Sequence, residues 1–313
     1  MSEQENLKEY LTFATQLAKD AGKLIKDAIN SRMHGSSANV EVKKSNPSDL
    51  VTETDKAVEE YIKERLFSTY PEHKFIGEET FASGVDTEFT NEPTWIVDPI
   101  DGTTNFVHGY PFVAVSIGMT LNKVPVIGVI YNPLLDELYS ACQGQGAYMN
   151  GQRLPLFNPP PALDDISECL IATEAGSDRS KQVIDAKISA IHEMVRSKAD
   201  SKTAAQAHSV RTTGSAALNL CSVAKGVVDV YWEVGCWEWD VAAGLVIVTE
   251  SGGMVISGSH DQSDFEPVNL FCRKYLAVRA AERSKQEHIV TQMREIIPAI
   301  DAPRASVPGG FDA

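Results

Sequence analysis

The chain has 313 residues, 43% of them hydrophobic and 23% charged, which suits one large core or two joined subdomains and excludes a collagen, a disordered tail protein or a small disulfide scaffold. Lys and Arg number 28 against 43 Asp and Glu, a net charge of −15, so DNA and anionic lipid would repel it. An anionic substrate could be held only with something positive placed between, and metal ions are the obvious candidates.

The first segment reads as a helix. Leu7, Leu11, Ala14, Leu17, Ala18, Ala21, Leu24, Ile25 and Ala28 recur at three- and four-residue steps. A polar loop around Lys43-Lys44-Ser45-Asn46-Pro47-Ser48-Asp49 follows. A second helix begins near Thr54-Asp55, buries Val58, Ile62 and Leu66, and stops before Pro71. The period then changes. Residues 74–77 and 94–98 are short apolar runs ending at carboxylates, and residues 112–121 and 124–131 are strand-like with Asn122-Lys123 as a hairpin turn. Asn150-Gly151 is a type I′ turn signal. In the second half, residues 169–173 read as a strand and residues 181–196 as a helix with Ile184, Ile188, Ile191 and Val195 inward. Residues 214–225 form a helix, 227–232 a strand, and 240–250 a helix closed by Gly252-Gly253. Strands at 254–257 and 275–279 and a helix over 282–297 complete a layered α+β or α/β chain. Asn158-Pro159-Pro160-Pro161 is a plausible hinge between subdomains at about 1–157 and 162–300 of a single domain. The stretch from Pro298 onward, and 301–313 in particular, reads as a disordered tail.

Five cysteines, an odd number with no C-x-x-C pair, suggest neither a disulfide framework nor a structural zinc site. The N-terminus is polar and acidic, and the longest apolar stretch, 241–248, is too short to cross a bilayer. These features point to a reduced, cytoplasmic protein with no nucleic-acid or membrane partner.

The densest chemical signal is Trp95-Ile96-Val97-Asp98-Pro99-Ile100-Asp101-Gly102-Thr103-Thr104-Asn105-Phe106. An apolar strand delivers Asp98, Pro99 turns the chain, and Asp101 follows three residues later. Two carboxylates so spaced can grip one cation or two adjacent ones, and hard oxygen ligands point to Mg²⁺ rather than zinc. The Gly102 and Thr103 amides would face an anion at a helix N-terminus. A bare D-P-x-D-G is also an ordinary turn, Trp239-Asp240 an ordinary helix cap, and Gly77-Glu78-Glu79 only a third acidic end of an apolar run. Together the three suggest a shared metal pocket.

With these motifs the chain resembles the inositol monophosphatase family of Mg²⁺-dependent, lithium-sensitive phosphatases. Trp95 to Phe106 fits the family's W-x-[IV]-D-P-[IL]-D-G-T-x-N-[FY] signature throughout. Trp239-Asp240-Val241-Ala242-Ala243-Gly244 with Glu250-Ser251-Gly252-Gly253 fits the second. Asp49-Leu50-Val51-Thr52, Gly77-Glu78-Glu79 and Gly214-Ser215-Ala216 follow the same order, and residues 106–118 resemble inositol monophosphatase proper. The resemblance implies a layered αβαβα sandwich of the sugar-phosphatase type, a homodimer, and hydrolysis of myo-inositol monophosphates with two or three Mg²⁺ per site. It implies that Glu78, Asp98 and the Ile100 carbonyl hold the first ion and Asp98, Asp101 and Asp240 the second, with Glu78 and waters on a weaker third. Asp49 and Thr103 would orient the attacking water, with Glu78 also in the catalytic set. The Gly102 and Thr103 amides would hold phosphate. Gly214, Ser215, Ala216 and Glu233 would meet the inositol hydroxyls, beside Glu78, Ile100, Asp101 and Asp240 on the substrate. Lys44 matches a lysine of a mobile metal-site loop.

The same chemistry on adenosine 3′,5′-bisphosphate, histidinol phosphate or another polyol phosphate is the nearest alternative. A non-catalytic metabolite-binding regulator is another, although it would be expected to lack one of the metal carboxylates, all of which are present. Gly144-Gln145-Gly146 is an incomplete dinucleotide loop. Cys142 and Cys236 read as packing residues, Glu238 as surface charge, and Trp232, Trp237 and Trp239 as one aromatic packing cluster.

Overall fold

The computed structural model of the protein describes residues 3–33, 40–42, 50–85, 88–259 and 264–303. The helix α1 (Glu3–Met33) buries Leu7, Ala14, Leu17, Ala18, Ala21, Ile25 and Ile29, the stripe its periodicity marks out. A short antiparallel pair, β1 (Val40–Val42) and β2 (Leu50–Thr52), leads into α2 (Glu53–Thr69). A reciprocal cap fixes the start of α2: Asp55 N donates to Thr52 Oγ1 at 3.3 Å, and Thr52 N donates to Asp55 Oδ2 at 3.0 Å.

The first half continues with β3 (Lys74–Gly77), α3 (Glu78–Ala82), β4 (Thr94–Asp101), α4 (Thr103–His108), β5 (Ala114–Leu121), β6 (Val124–Asn132), β7 (Glu137–Cys142), β8 (Gly146–Met149) and β9 (Gln152–Arg153). These strands form a seven-stranded sheet in sequence order, parallel between β3 and β4 and antiparallel beyond. Both expected tight turns have positive φ at their two central residues, 49° and 67° at Asn122-Lys123 and 48° and 81° at Asn150-Gly151.

The second half comprises β10 (Leu170–Thr173), α5 (Lys181–Val195), β11 (Ser209–Arg211), α6 (Ala216–Lys225), β12 (Val230–Val234), α7 (Glu238–Glu250), β13 (Met254–Ser257), β14 (Lys274–Val278) and α8 (Arg283–Arg294). Its five-stranded sheet runs β11-β10-β12-β14-β13. Three apolar clusters separate the layers. One joins α1 and α2 to the seven-stranded sheet, one holds α6 and α7 between the sheets, and one packs α5 and α8 on the outer face of the five-stranded sheet. The expected αβαβα sandwich is the observed architecture.

Several local expectations are corrected. On α5 the stripe Ile184, Ile188, Ile191, Val195 is not the inward face. Ile188 is 55% and Val195 46% exposed, while Lys187, Ala190 and Met194 are buried. The strand expected from 227 starts at Val230, because Gly226 (φ 80°) closes α6 and the amides of Val227 and Val228 both return to the Ser222 carbonyl. Glu238 is not a surface charge but fully buried, since α7 is enclosed by both sheets; it sits in the first turn, where helix amides favour an anion. The three tryptophans do not form one cluster. Trp237 and Trp239 stack at 5.2 Å, whereas Trp232 lies in the outer core and donates to the Gly258 carbonyl. Residues 298–303 are not a free tail either: Ile300 is buried in the outer cluster and the Pro303 carbonyl accepts from Arg273. Residues 304–313 lie outside the described residues. Gly144 and Gly146 donate their amides to Glu250 at 2.8 and 2.7 Å and so hold the end of α7.

Candidate active site

The carboxylates gather where β4 ends and α7 begins. The register of β4 against β5 shifts between Asp98 and Asp101, so the regular ladder is interrupted within the segment that carries both carboxylates. Asp98 Oδ1 accepts from the Ile100 amide at 2.9 Å. Asp101 Oδ2 accepts from the Ser215 hydroxyl and from the Ala217 amide at 2.9 Å, tying β4 to the start of α6. Asp240, third residue of α7, accepts from the Trp237 amide at 2.7 Å. One oxygen from each of Asp98, Asp101 and Asp240 lies within 4.8 Å of the others.

Crowding of like charges out of water disfavours ionisation. Burial, then Glu78, Asp101, Asp240 and Asp55, holds Asp98 well above the ordinary carboxylate range. Burial raises Asp101 to about 6 against the donors Ser215, Ala217 and Ala216. Burial and then Asp101 raise Asp240 to about 7. An all-oxygen set of crowded carboxylates, each oriented by a backbone donor, fits a hard divalent cation.

Glu78 opens α3, and a residue that sequence reasoning missed sets its place. The Glu59 carboxylate, buried on α2, accepts from the Glu79 and Thr80 amides at 2.8 Å each and from Thr80 Oγ1 at 2.6 Å. A Cβ on Gly77 would stand 2.5 Å from Glu59 Oε2, so this close approach requires glycine.

Thr103 Oγ1 lies 3.1 Å from both Asp55 Oδ1 and the Ile100 carbonyl oxygen. Asp55 thus joins the helix cap of α2 to the site, a second role that its capping pattern did not signal. Asp49 and Lys44 lie outside the described residues. Gly102 caps α4 with φ 90°, and a Cβ there would meet Phe112 O at 2.7 Å and Gly214 O at 3.2 Å.

The Gly214 loop is held by residues not anticipated from sequence. Glu174 Oε1 accepts from the Thr213 amide at 2.6 Å, the Gly214 amide at 2.9 Å and Asn219 Nδ2 at 2.9 Å. Asn105 Nδ2 bridges to the carbonyls of Phe112 and Thr213 at 2.8 and 2.7 Å. Ser215 turns its hydroxyl onto Asp101 and caps α6, and Ala216 begins that helix. Glu233 lies buried near the end of β12. Its Oε1 accepts from Lys187 Nζ at 2.7 Å, and burial raises it to about 7 against the pull of Lys187.

This sandwich, with its acidic centre between the end of β4 and the start of α7, defines a phosphoric monoester hydrolase. A model of the inositol monophosphatase family matches residues 6–297, and the chain belongs to that family, whose members hydrolyse inositol phosphates. It is 43% identical to the protein qutG of Emericella nidulans over 91% of this chain and 89% of that one. It is 43% identical to inositol monophosphatase 3 of Solanum lycopersicum over 84% of this chain and 91% of that one. Among solved structures, the inositol monophosphatase of Anabaena (Nostoc) sp. PCC 7120 superposes with a TM-score of 0.71 at 29% identity, over 94% of this chain and 98% of that one. Among the described residues no helix is long and apolar enough to cross a membrane.

Proposed function

We propose that this chain hydrolyses myo-inositol monophosphates to myo-inositol and phosphate with Mg²⁺ held by Glu78, Asp98, the Ile100 carbonyl, Asp101 and Asp240. The observation that carries this is the Asp98, Asp101 and Asp240 cluster, three carboxylates within mutual reach whose protons are held unusually tightly without a cation. Bound Mg²⁺ would offset the phosphate dianion's charge, acidify water and ease departure of the alkoxide.

The chain's own residues do the rest. Thr103, with Asp49, orients the attacking water, and Asp55 fixes the Thr103 hydroxyl. The Gly102 and Thr103 amides receive phosphate oxygens. Glu233 accepts from a substrate hydroxyl, and Gly214 and Ala216 shape the wall of the same pocket. Ser215 supports that wall through Asp101 rather than by offering its hydroxyl. By the family resemblance, Lys44 would belong to a metal-site loop. The family resemblance also supports a homodimer in the cytoplasm and inhibition by Li⁺.

The test is phosphate release from a panel of inositol, polyol, nucleotide and aryl phosphates, before and after chelation. Activity on inositol monophosphates that vanishes in EDTA and returns with Mg²⁺ is expected, with Li⁺ lowering it. Full activity in excess EDTA overturns the metal assignment. Preference for adenosine bisphosphate or histidinol phosphate overturns the substrate.

A further inference from the structure

Lys187 is a lysine with 2% of its side chain exposed, on the inward face of α5. Buried lysines are rare and need a partner. Its ammonium reaches two acceptors at 2.7 Å, Glu233 Oε1 and the Val234 carbonyl. Space for it is made by Gly176, whose φ is 72° and where a Cβ would stand 2.7 Å from Nζ. Three residues from separate segments thus build one device.

The device leaves one oxygen over. Glu233 Oε2 is buried and has no hydrogen-bond partner, and an orphaned buried acceptor is costly unless a ligand donates to it. Tyr231 and Glu233 share a face of β12. Tyr231 belongs to the cluster between the sheets, while Trp232 and Val234 pack in the outer cluster. The same segment reaches the catalytic centre: Glu174, two residues before Gly176, accepts from the Thr213 and Gly214 amides, and the next residue, Ser215, donates to Asp101.

We infer that Lys187 is a positioning and specificity-determining residue, one that fixes Oε1 of Glu233, presents Oε2 to a single substrate hydroxyl, and neutralises the carboxylate in advance so that the pocket favours phosphates of uncharged polyols over phosphates of amino alcohols. This rests on the proposal that Glu233 faces the substrate's alcohol portion. An ammonium-bearing substrate would otherwise find a buried carboxylate awaiting a cation. With Lys187 in place that charge is already satisfied, and a second cation would be repelled.

The experiment compares wild type with Lys187→Met on three Mg²⁺-supported substrates: myo-inositol 1-phosphate, phosphoethanolamine, and 4-nitrophenyl phosphate, which has neither hydroxyls nor amine on its leaving group. For Lys187→Met, the KM for inositol phosphate should rise by roughly tenfold or more, the scale of a hydrogen bond to a charged group. Its kcat/KM for phosphoethanolamine should rise relative to the aryl phosphate, whose kcat should stay within about twofold. Parallel changes on all three substrates, or none, overturn the inference.

Removing one charge of a buried pair can unfold a protein, whereas removing both is far better tolerated. Glu233→Gln and the Lys187→Met/Glu233→Gln double variant therefore complete the cycle. Lys187 acting through Glu233 predicts equal inositol-phosphate KM for these two, and a difference above about threefold overturns it. If wild type cleaves the aryl phosphate but not inositol phosphate, the substrate reading fails instead. The amine-to-aryl ratio in Lys187→Met then still decides whether Lys187 screens Glu233.

Discussion

Thr103 Oγ1 stands 3.1 Å from Asp55 Oδ1 and an equal 3.1 Å from the Ile100 carbonyl oxygen, with one hydroxyl hydrogen to donate. Either donation leaves an oxygen lone pair to accept from a water. Thr103→Ala removes that acceptor but keeps the backbone amide proposed to hold phosphate. Its single-turnover rate should fall by about 10²–10⁴-fold, with inorganic phosphate binding little changed. Thr104, exposed one residue on, should tolerate alanine within about twofold. An active Thr103→Ala, or a trapped covalent phosphoenzyme in wild type, counts against water attack.

Asp98→Asn should separate stability from function. The carboxylate it removes is buried against Glu78, Asp101 and Asp240. The metal-free variant should therefore melt higher than metal-free wild type; even about 1 kcal/mol of relief raises Tm by roughly 2 °C in a large domain. Turnover should be lost, along with most of the Mg²⁺-induced rise in Tm. A variant that kept wild-type turnover would remove this loop from the metal site.

Metal-free stability should depend on pH in an unusual direction. Asp101 and Asp240 titrate near 6 and 7 when folded, against 3.8 ordinarily. The folded state therefore holds more protons than the unfolded state between about pH 4 and 7. This contribution to stability is full below about pH 4 and is lost as pH rises through 6 to 7. Mg²⁺ must displace those protons, so its affinity should climb over the same interval. Denaturation in EDTA at several pH values tests the first claim, and calorimetry in two buffers at pH 6 tests proton release. A flat profile with no released protons contradicts both.

The clustered carboxylates were legible because each ends or begins an apolar element, and Asp98 and Asp101 share one turn. The change of period along the chain marked a layered α+β or α/β protein, whereas the αβαβα order of its layers came from the family resemblance. The supporting charges were not. Glu59, Glu174 and Lys187 each look like solvated positions in a one-dimensional pattern, and only tertiary packing sets an amide or carboxylate against them. On α5 two stripes compete. Ile184, Ile188, Ile191 and Val195 are the more apolar, yet the buried stripe carries Lys187, Ala190 and Met194. A buried ion pair and a small residue chose the face, and hydrophobic periodicity registers neither.

Glu174 offers the sharpest test of the scaffold behind the site. One oxygen, Oε1, accepts from the Thr213 and Gly214 amides and from Asn219 Nδ2. Glu174→Ala removes the acceptor from all three donors; water can reach the exposed Gly214 amide, but those of Thr213 and Asn219 are partly buried, and an unsatisfied donor away from water costs up to about 1–3 kcal/mol. Glu174→Gln retains an amide oxygen for the same position and should recover most of that loss. The functional effect should run through Gly214, whose carbonyl lies close behind Gly102. A loosened Gly214 loop would relax both the Gly102 turn and the Ser215 hydrogen bond to Asp101. Glu174→Ala should therefore lower Tm, raise the KM for inositol phosphate and weaken Mg²⁺ binding together. Glu174→Gln should show a smaller version of each. A Glu174→Ala variant with lower Tm but unchanged KM and Mg²⁺ affinity would confine Glu174 to stability and detach it from the site.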